Sequence, residues 1–204
     1  MKKLLLSSLL LALSSQVNAA NIVINGSFEN PDIAPGTWSV HSPSILGWTT
    51  GSAGVEIRDN VAGTAYEGDQ FAELDSHGSD SNSYITQTLS TVIGQMYELS
   101  FAYSPRIGQP EQTNGIDVFW NGGLLDSVTA TGSNIHNWVV YTFMVQGTGS
   151  DVLKFAATGI EDTLGGSLDD VQVSAVPIPA AALLFAPALL GFMGLRRKAK
   201  AIAA

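Results

Sequence analysis

Two arginines, a glutamate and a tyrosine are the side chains best suited to recognising a polar ligand. Arg58 and Arg106 are two of only three cations between residues 20 and 175, and Glu73 lies on another predicted strand. Arg106 follows the strand that ends at Tyr103, where loops commonly form ligand rims. Sugar sites combine an aromatic face with planar hydrogen-bonding groups, so Arg58, Glu73, Tyr103 and Arg106 are the candidate ligand residues. The competing interpretation pairs both arginines with neighbouring carboxylates.

Four tryptophans could supply an aromatic face for such a site. They are Trp38, Trp48, Trp120 and Trp138. Trp120 and Trp138 fall in apolar alternation that is typical of a core strand. Packing in the core is therefore the competing role for each tryptophan.

The charge of the chain is strongly partitioned. All 18 carboxylates lie between residues 20 and 175 with only three basic residues, which gives this region a formal charge of −15. Nucleic acids are bound through clustered Lys and Arg, so we exclude them as partners. The excess of carboxylates suits hard cations such as Ca²⁺, but solubility outside the cell is sufficient to explain most of it.

The residues needed for common catalytic chemistries are missing or uninformative. The chain has no cysteine, which excludes disulfides, thiolate metal sites and cysteine nucleophiles. Its histidines, His41, His77 and His136, lack paired spacing, and we expect them to be exposed loop residues. A glycosidase needs two facing carboxylates, a pattern that 18 acids supply by chance. We predict that the protein is not an enzyme, with polysaccharide hydrolysis as a third and less favoured function.

Short segments with alternating apolar residues must position these side chains. Residues 97–103 place Tyr97, Leu99, Phe101 and Tyr103 on one face of a strand. The other predicted strands are 22–24, 55–58, 71–75, 84–89, 116–120, 124–128, 137–145, 152–157 and 168–174. Asn121-Gly122-Gly123 between two of them predicts a tight hairpin. Nine or ten short strands without a helical repeat predict an all-β, two-sheet sandwich.

The two ends of this sandwich resemble a known family. Residues 21–29 (NIVINGSFE) and 168–173 (LDDVQV), with 84–89 and 94–101 between them, resemble the galactose-binding-like jelly rolls of secreted carbohydrate-binding modules. The resemblance covers residues 21–174 and implies a jelly roll that binds polysaccharide. Fold does not determine function, because such jelly rolls bind many ligands and sometimes none.

The same resemblance implies a structural Ca²⁺ that connects the first and last strands. Glu29, Asp169 and Asp170 would supply oxygen ligands, supplemented by the backbone near Asn25. Period-two alternation places Asp169 inward with Val171 and Val173, where a buried carboxylate needs a partner. The open alternative is that Asp169 accepts backbone N–H bonds from the 25–29 turn without a metal.

Both termini of the chain have the pattern of export signals. Lys2 and Lys3 precede an apolar run that ends in small residues at Ala19, as in a secretory signal peptide over residues 1–19. At the other end, an uncharged run after Ala180 precedes Arg196 and Arg197, which predicts a transmembrane helix with a cytoplasmic C-terminus. Between these signal and transmembrane helices, residues 20–175 form one exported domain.

The last 29 residues, 176–204, resemble the sorting signal of PEP-CTERM proteins. Val176, Pro177, Pro179 and Ala180 match its VPxPA-type variant, and the apolar run and basic end follow in the right order. The resemblance implies processing by an exosortase-type enzyme in a Gram-negative-type bacterium. We expect a membrane-anchored intermediate, then a cell-surface or extracellular protein. The predicted function is non-catalytic polysaccharide binding; the alternative is a structural matrix or coat protein without a specific ligand.

Overall fold

The computed structural model describes residues 19–77 and 81–177. The predicted signal peptide apart from Ala19, the transmembrane helix, and the sorting residues Pro179, Ala180, Arg196 and Arg197 lie outside these ranges. Ala20–Val176 form one compact unit. Among the described residues, no helix has the length and apolar character needed to span a membrane.

Twelve β-strands and one 3₁₀ turn, Glu111–Thr113, make up the described chain. The strands are β1 Trp38–His41, β2 Ser44–Ile45, β3 Trp48–Thr50, β4 Val55–Asp59, β5 Gln70–Glu73, β6 Tyr84–Ser90, β7 Met96–Ser104, β8 Gly115–Trp120, β9 Gly123–Val128, β10 Val139–Gln146, β11 Ser150–Thr158 and β12 Ser167–Ala175.

Two six-stranded antiparallel sheets pack face to face. The first sheet has the order β1-β4-β5-β12-β7-β10, and the second has the order β2-β3-β6-β11-β8-β9. Neighbouring strands in each sheet are mostly distant in sequence, as expected of a jelly roll. The predicted all-β, two-sheet jelly-roll sandwich is therefore confirmed.

The core lies between the sheets, where the alternating apolar side chains meet. Leu99, Phe101 and Tyr103 of β7 are buried there, and the Phe101 ring lies edge-on to that of Phe155 in the second sheet, with centroids 5.0 Å apart. Trp48 is also in the core, with its ring 6.3 Å from Phe155. Full burial of one such aromatic side chain stabilises a fold by about 1.5–3 kcal/mol.

The predicted hairpin and most predicted strands are present. Nine of the predicted strands overlap β4–β12, and Asn121 and Gly122 connect β8 and β9 with φ of 52° and 78°. Positive φ at both central positions is the geometry that a tight hairpin turn requires.

The N-terminal strand prediction was wrong. Residues 22–24 form no strand, and only an isolated bridge joins Asn21 to Ser174. Soon afterwards the backbone takes positive φ at Asn25 and Phe28, which an extended strand does not allow. Strands β1–β3 were not predicted, because they are only two to four residues long and lie in a segment rich in Ser, Gly and Pro.

The predicted orientation of Asp169 was also wrong. The pairing of β12 with β7 shifts register between Asp169 and Gln172, and Asp170 has φ of 45°. Asp169 pairs with Ala102, on the face opposite to Leu99 and Phe101, so it lies on the outer face of the first sheet. The bulge reverses the alternation on which the prediction depended.

Candidate functional site

Four charged residues meet on the outer face of the first sheet, the side away from the core. On β4, Val55 and Ile57 pack into the core, so Glu56 and Arg58 must point to the outer face. Glu73 of β5 lies directly opposite Glu56 in the strand register, and Arg106 follows the end of β7. We call Glu56, Arg58, Glu73 and Arg106 the arginine–glutamate network.

Glu73 is at the centre of this network. Arg106 Nη1 donates to both Glu73 carboxylate oxygens at 2.7 Å, and the Gly165 N–H donates to Oε1 at 2.8 Å. Arg58 Nη2 donates to Glu56 at 2.5 Å. Arg58 Nε lies 2.7 Å from Glu73 Oε2 but is not aligned for a hydrogen bond. The structure thus brings together three of the four predicted ligand residues, as ion pairs.

The arginine–glutamate network is almost inaccessible to solvent. The exposed fraction of the side chain is 1% for Glu73, 6% for Arg58 and 15% for Arg106. Burial raises the pKa of Glu73 to about 7, although Arg58 and Arg106 pull it down. Burial also raises the pKa of Glu56, again against the effect of Arg58. Two guanidinium groups therefore compensate two carboxylates that have lost their hydration.

An exposed aromatic ring borders the network. Trp38 of β1 pairs directly with Arg58, and the guanidinium carbon lies 5.8 Å from its ring centroid. The His77 ring centroid lies 5.6 Å from that of Trp38, and Trp38 is 43% exposed. We call Trp38, His77, Arg58 and Glu56 the Trp38 platform, because it combines an accessible aromatic surface with planar polar groups.

A second aromatic cluster covers the adjoining part of the outer face. Phe71 of β5 contacts His136 and Trp138, with ring centroids 5.0 and 6.0 Å away. His136 Nδ1 and Trp138 Nε1 both hydrogen-bond the Thr64 carbonyl, at 2.9 and 3.0 Å. The prediction that His136 is an exposed loop residue was wrong. It is buried, and burial lowers its pKa.

Tyr103, the fourth predicted ligand residue, lies on the other side of the sheet. It belongs to the core and is 1% exposed. Its hydroxyl donates to the Asn114 carbonyl at 2.9 Å, and burial raises its pKa. The structure does not place Tyr103 with Arg58, Glu73 and Arg106. The aromatic strand partners of Arg58 are Trp38 on β1 and Phe71 on β5. The strand pairing of Trp38 with Arg58 was not visible in the sequence, because β1 was not predicted.

The predicted calcium ligands Glu29 and Asp169 both bind the 66–70 turn. Glu29 Oε1 accepts the N–H groups of Asp69 and Gln70, both at 2.9 Å. Asp169 Oδ2 accepts two further N–H groups of this turn, at 2.8 and 3.0 Å, and Oδ1 accepts the Asp170 N–H at 2.7 Å. Burial raises the pKa of Asp169 to about 7, although these N–H groups lower it.

The other two predicted calcium ligands have local partners. Asn25 exchanges hydrogen bonds with the Asn30 backbone at 2.6 and 3.0 Å, and Asp170 accepts the Gln172 amide at 2.7 Å. Within residues 19–77 and 81–177, no three Asp, Glu or His side chains are close enough to hold a metal ion. The described geometry does not gather the four predicted ligands around one point.

A shallow depression of about 300 Å³ lies elsewhere on the domain. It is lined by Glu111, Gln112, Gly115, Thr129, Thr158 and Gly159. Its lining includes no aromatic side chain, and Glu111 is its one ionisable group. It therefore lacks the stacking surface and paired charges of the Trp38 platform.

The chain matches no protein-family model. It is 31% identical over 164 residues to the multifunctional-autoprocessing repeats-in-toxin of Vibrio vulnificus, and 30% identical over 165 residues to that of Vibrio cholerae. These alignments cover 78% and 77% of this chain. They cover 3% of each toxin, so the chain is similar to a small segment of each.

Several solved structures are similar in fold. The K1 cleaved adhesin domain of Lys-gingipain from Porphyromonas gingivalis has a TM-score of 0.51 at 16% identity, covering 70% of this chain and 100% of that domain. Two carbohydrate-binding modules are also similar. The module TmCBM61 has a TM-score of 0.47 at 17% identity and covers 78% of this chain and 100% of its own. CBM35 from Paenibacillus barcinonensis has a TM-score of 0.43 at 20% identity, and the match covers 69% of this chain and 100% of that module. At these identities the likeness concerns the fold alone.

Proposed function

We propose that this domain binds polysaccharide without cleaving it, and that the Trp38 platform is the binding site. The observation that supports the proposal most directly is the exposed Trp38 ring beside the buried Arg58–Glu56 pair. An aromatic ring stacks on the C–H face of a sugar, and the exposed His77 ring beside Trp38 can hydrogen-bond the hydroxyls. Because the network holds Arg58 in place, little side-chain freedom would be lost on binding.

The environment of the two glutamates supports a non-catalytic role. A glycosidase needs two carboxylates about 5–10 Å apart on either side of the scissile bond. Glu56 and Glu73 are directly opposite each other in the strand register, and their side chains are only 2% and 1% exposed. Each is bonded to a guanidinium group rather than open to a substrate. This arrangement suits a rigid binding surface better than acid–base chemistry.

The test compares two exposed aromatic residues on opposite sheets. Tyr84 on the second sheet is 38% exposed and, like Trp38, has a cation over its ring, with Lys154 Nζ at 4.4 Å. We expect Trp38→Ala to weaken binding about tenfold or more, since a stacked aromatic face is worth about 1.4 kcal/mol or more. Tyr84→Ala is the matched control and should leave the affinity unchanged.

Binding of the full-length chain would be measured on a glycan array and by calorimetry. The probes would include β-1,4-galactotriose, the ligand present in the TmCBM61 structure. Equal weakening by both substitutions, or unchanged affinity in the Trp38 variant, would contradict the proposed site. Absence of binding to every glycan tested would contradict the proposed function.

A structural role through self-association is the second candidate. It is favoured by β10, an edge strand of the first sheet that has exposed apolar residues at Val139, Val140 and Met144. An apolar edge strand can pair with another chain. Sedimentation velocity over a range of concentrations separates the candidates: assembly without glycan binding would favour the structural role.

Export and tail processing are part of the proposed function. The protein would be secreted through the signal peptide and anchored by its C-terminal helix, and an exosortase-type enzyme would cleave it near Pro179. The mass of the protein recovered from the cell surface tests this step. A mature protein that retains residues 180–204 would contradict processing at the proline motif.

A further inference from the structure

A short antiparallel bridge beyond β5 places two oxygen-bearing side chains next to each other. Asp75 pairs with Asn82 as an isolated bridge. The backbone hydrogen bonds on either side join Ser76 to Ser81 at 2.8 Å and Ser83 to Leu74 at 3.0 Å. Asp75 and Asn82 are therefore a non-hydrogen-bonded pair, the type in which Cα atoms are about 4.5 Å apart and side chains are closest.

Each of these two side chains has one buried oxygen that has no hydrogen-bond partner among the described residues. Asp75 is 0% exposed; its Oδ2 accepts the N–H groups of Asp162 and Leu164, both at 3.2 Å, and its Oδ1 accepts none. Asn82 Nδ2 donates to the Gly159 carbonyl at 3.1 Å, which identifies the other amide atom as the oxygen. Asn82 Oδ1 is also buried and has no partner.

No basic side chain of the described residues compensates Asp75. Residues 19–77 and 81–177 contain three Lys or Arg residues. Arg58 and Arg106 pair with Glu56 and Glu73, and Lys154 lies over the Tyr84 ring. A fully buried carboxylate without a counter-charge is costly, so a cation from solution would have a large favourable effect here.

We propose that Asp75 Oδ1 and Asn82 Oδ1 bind a Ca²⁺ ion. Carboxylate and amide oxygens are ligands that Ca²⁺ prefers, and water and backbone carbonyls complete its shell of six to eight oxygens in many proteins. This site is distinct from the 66–70 turn that Glu29 and Asp169 bind.

The ion would stabilise the loop beside the arginine–glutamate network. Asp75 lies two residues after Glu73, and it accepts hydrogen bonds from the loop that contains Asp162 and Leu164. The next residue of that loop, Gly165, donates to Glu73. Calcium at Asp75 would thus fix the loop that completes the network. The inference does not depend on sugar binding, so Trp38→Ala should leave the calcium response intact.

Calcium binding by the full-length chain, first treated with EDTA, tests the proposal. Thermal melting and calorimetry would be recorded with CaCl₂ up to about 10 mM, because extracellular modules bind Ca²⁺ with Kd of about 10⁻⁴–10⁻³ M. We expect the Tm of the unmodified protein to rise by several degrees. Asp75→Asn should abolish this rise. In EDTA the variant should have a Tm no lower than that of the unmodified protein, because the substitution removes the uncompensated charge.

Three further variants separate the possible outcomes. Asn82→Asp adds a carboxylate and should tighten calcium binding severalfold, which keeps the test decisive if the Asp75 variant does not fold. Glu98→Gln removes an exposed carboxylate of β7 and should change nothing. A response lost in Asp169→Asn but retained in Asp75→Asn would place the ion at the ligands predicted from sequence and overturn the inference. Absence of any response in the unmodified protein would also overturn it.

Discussion

The outer faces of the two sheets use the same kinds of residue in opposite ways. On the second sheet, the half-buried Lys154 lies over the rings of Tyr84 and Phe119, at 4.4 and 5.5 Å from their centroids. On the first sheet, Arg58 lies beside Trp38, but its charge is directed into a buried network with Glu56 and Glu73. One face has a partly exposed cation–π contact, and the other has ion pairs that are almost fully buried.

Loops produce this difference between the faces. The loop that contains Thr163 and Gly165 lies over the first sheet, where it accepts from Arg106 and donates to Glu73. Water is excluded there, so each charge depends on its partner far more than a charge in solvent does. On the second sheet, Lys154 is only half-buried, so solvent still screens part of its charge. The comparison therefore predicts large effects on the first sheet and small ones on the second.

Removing the central carboxylate should have the largest effect. Glu73→Ala leaves two buried arginines with Glu56 as the one carboxylate of the network, so one positive charge is uncompensated. We expect this change to lower the free energy of unfolding by about 3–5 kcal/mol. Denaturant unfolding of the variant measures this loss. Glu98→Ala, an exposed glutamate on β7, should change stability by less than about 0.5 kcal/mol. A loss below about 1 kcal/mol for Glu73→Ala would show that the network is hydrated.

The pH dependence should have opposite signs at two buried aspartates, one in each sheet. Burial raises the pKa of Asp169 on the first sheet to about 7. At Asp151 on the second sheet, burial raises the pKa too, but hydrogen bonds from Thr91, Asn121 and Thr148 outweigh it and lower the pKa to about 2. Asn121 and Thr148 donate to Asp151 Oδ1 at 2.5 and 2.7 Å. Both groups start from an ordinary value of 3.8.

The sign follows from which state binds the proton more tightly. Asp169 binds its proton more tightly in the folded state, so its contribution to the free energy of unfolding falls as pH rises from about 4 to about 7. Asp151 binds its proton more tightly in the unfolded state, so its contribution to the free energy of unfolding is present above about pH 4 and is lost as pH falls toward 2. Each slope is at most about 1.4 kcal/mol per pH unit. Carboxyl ¹³C shifts recorded across this range measure both pKa values, and titration of Asp169 below pH 4 would contradict the comparison.

Removing the cation of the second sheet should have the smallest effect. Lys154→Ala abolishes the contacts with Tyr84 and Phe119, and we expect a loss of about 1 kcal/mol, because the half-buried ammonium group is only partly desolvated. Denaturant unfolding under the conditions used for Glu73→Ala gives the direct comparison. A loss above about 2 kcal/mol would mean that the second face is as tightly coupled as the first.

The sequence predicted the strands that are long and regular. Residues 97–103 alternate without interruption and form the centre of β7, and Asn121-Gly122 forms the predicted turn. Strands β1–β3 were not predicted because they are two to four residues long and lie in a segment rich in Ser, Gly and Pro, where no apolar period is visible. Asp169 was oriented wrongly because nothing in the local pattern indicates the bulge at Asp170.

The candidate site was predicted only in part. Arg58 and Arg106 stand out in the sequence because cations are scarce in an acidic region, and both meet the third candidate, Glu73. Tyr103 was included because it precedes Arg106 in sequence, yet alternation along β7 places it in the core. Trp38 reaches Arg58 through the pairing of β1 with β4, which joins residues 20 positions apart.

Local properties of the chain were therefore settled by the sequence itself: the all-β class, the acidic charge, the absence of cysteine and the tight hairpin. Each depends on residue types and on spacings of a few residues. Which side chains share a site was decided by the tertiary structure. Strand pairing and loop cover bring Glu73 between two distant arginines and leave Asp75 without a counter-charge among the described residues. Both features depend on contacts between residues far apart in the chain, which local patterns do not specify.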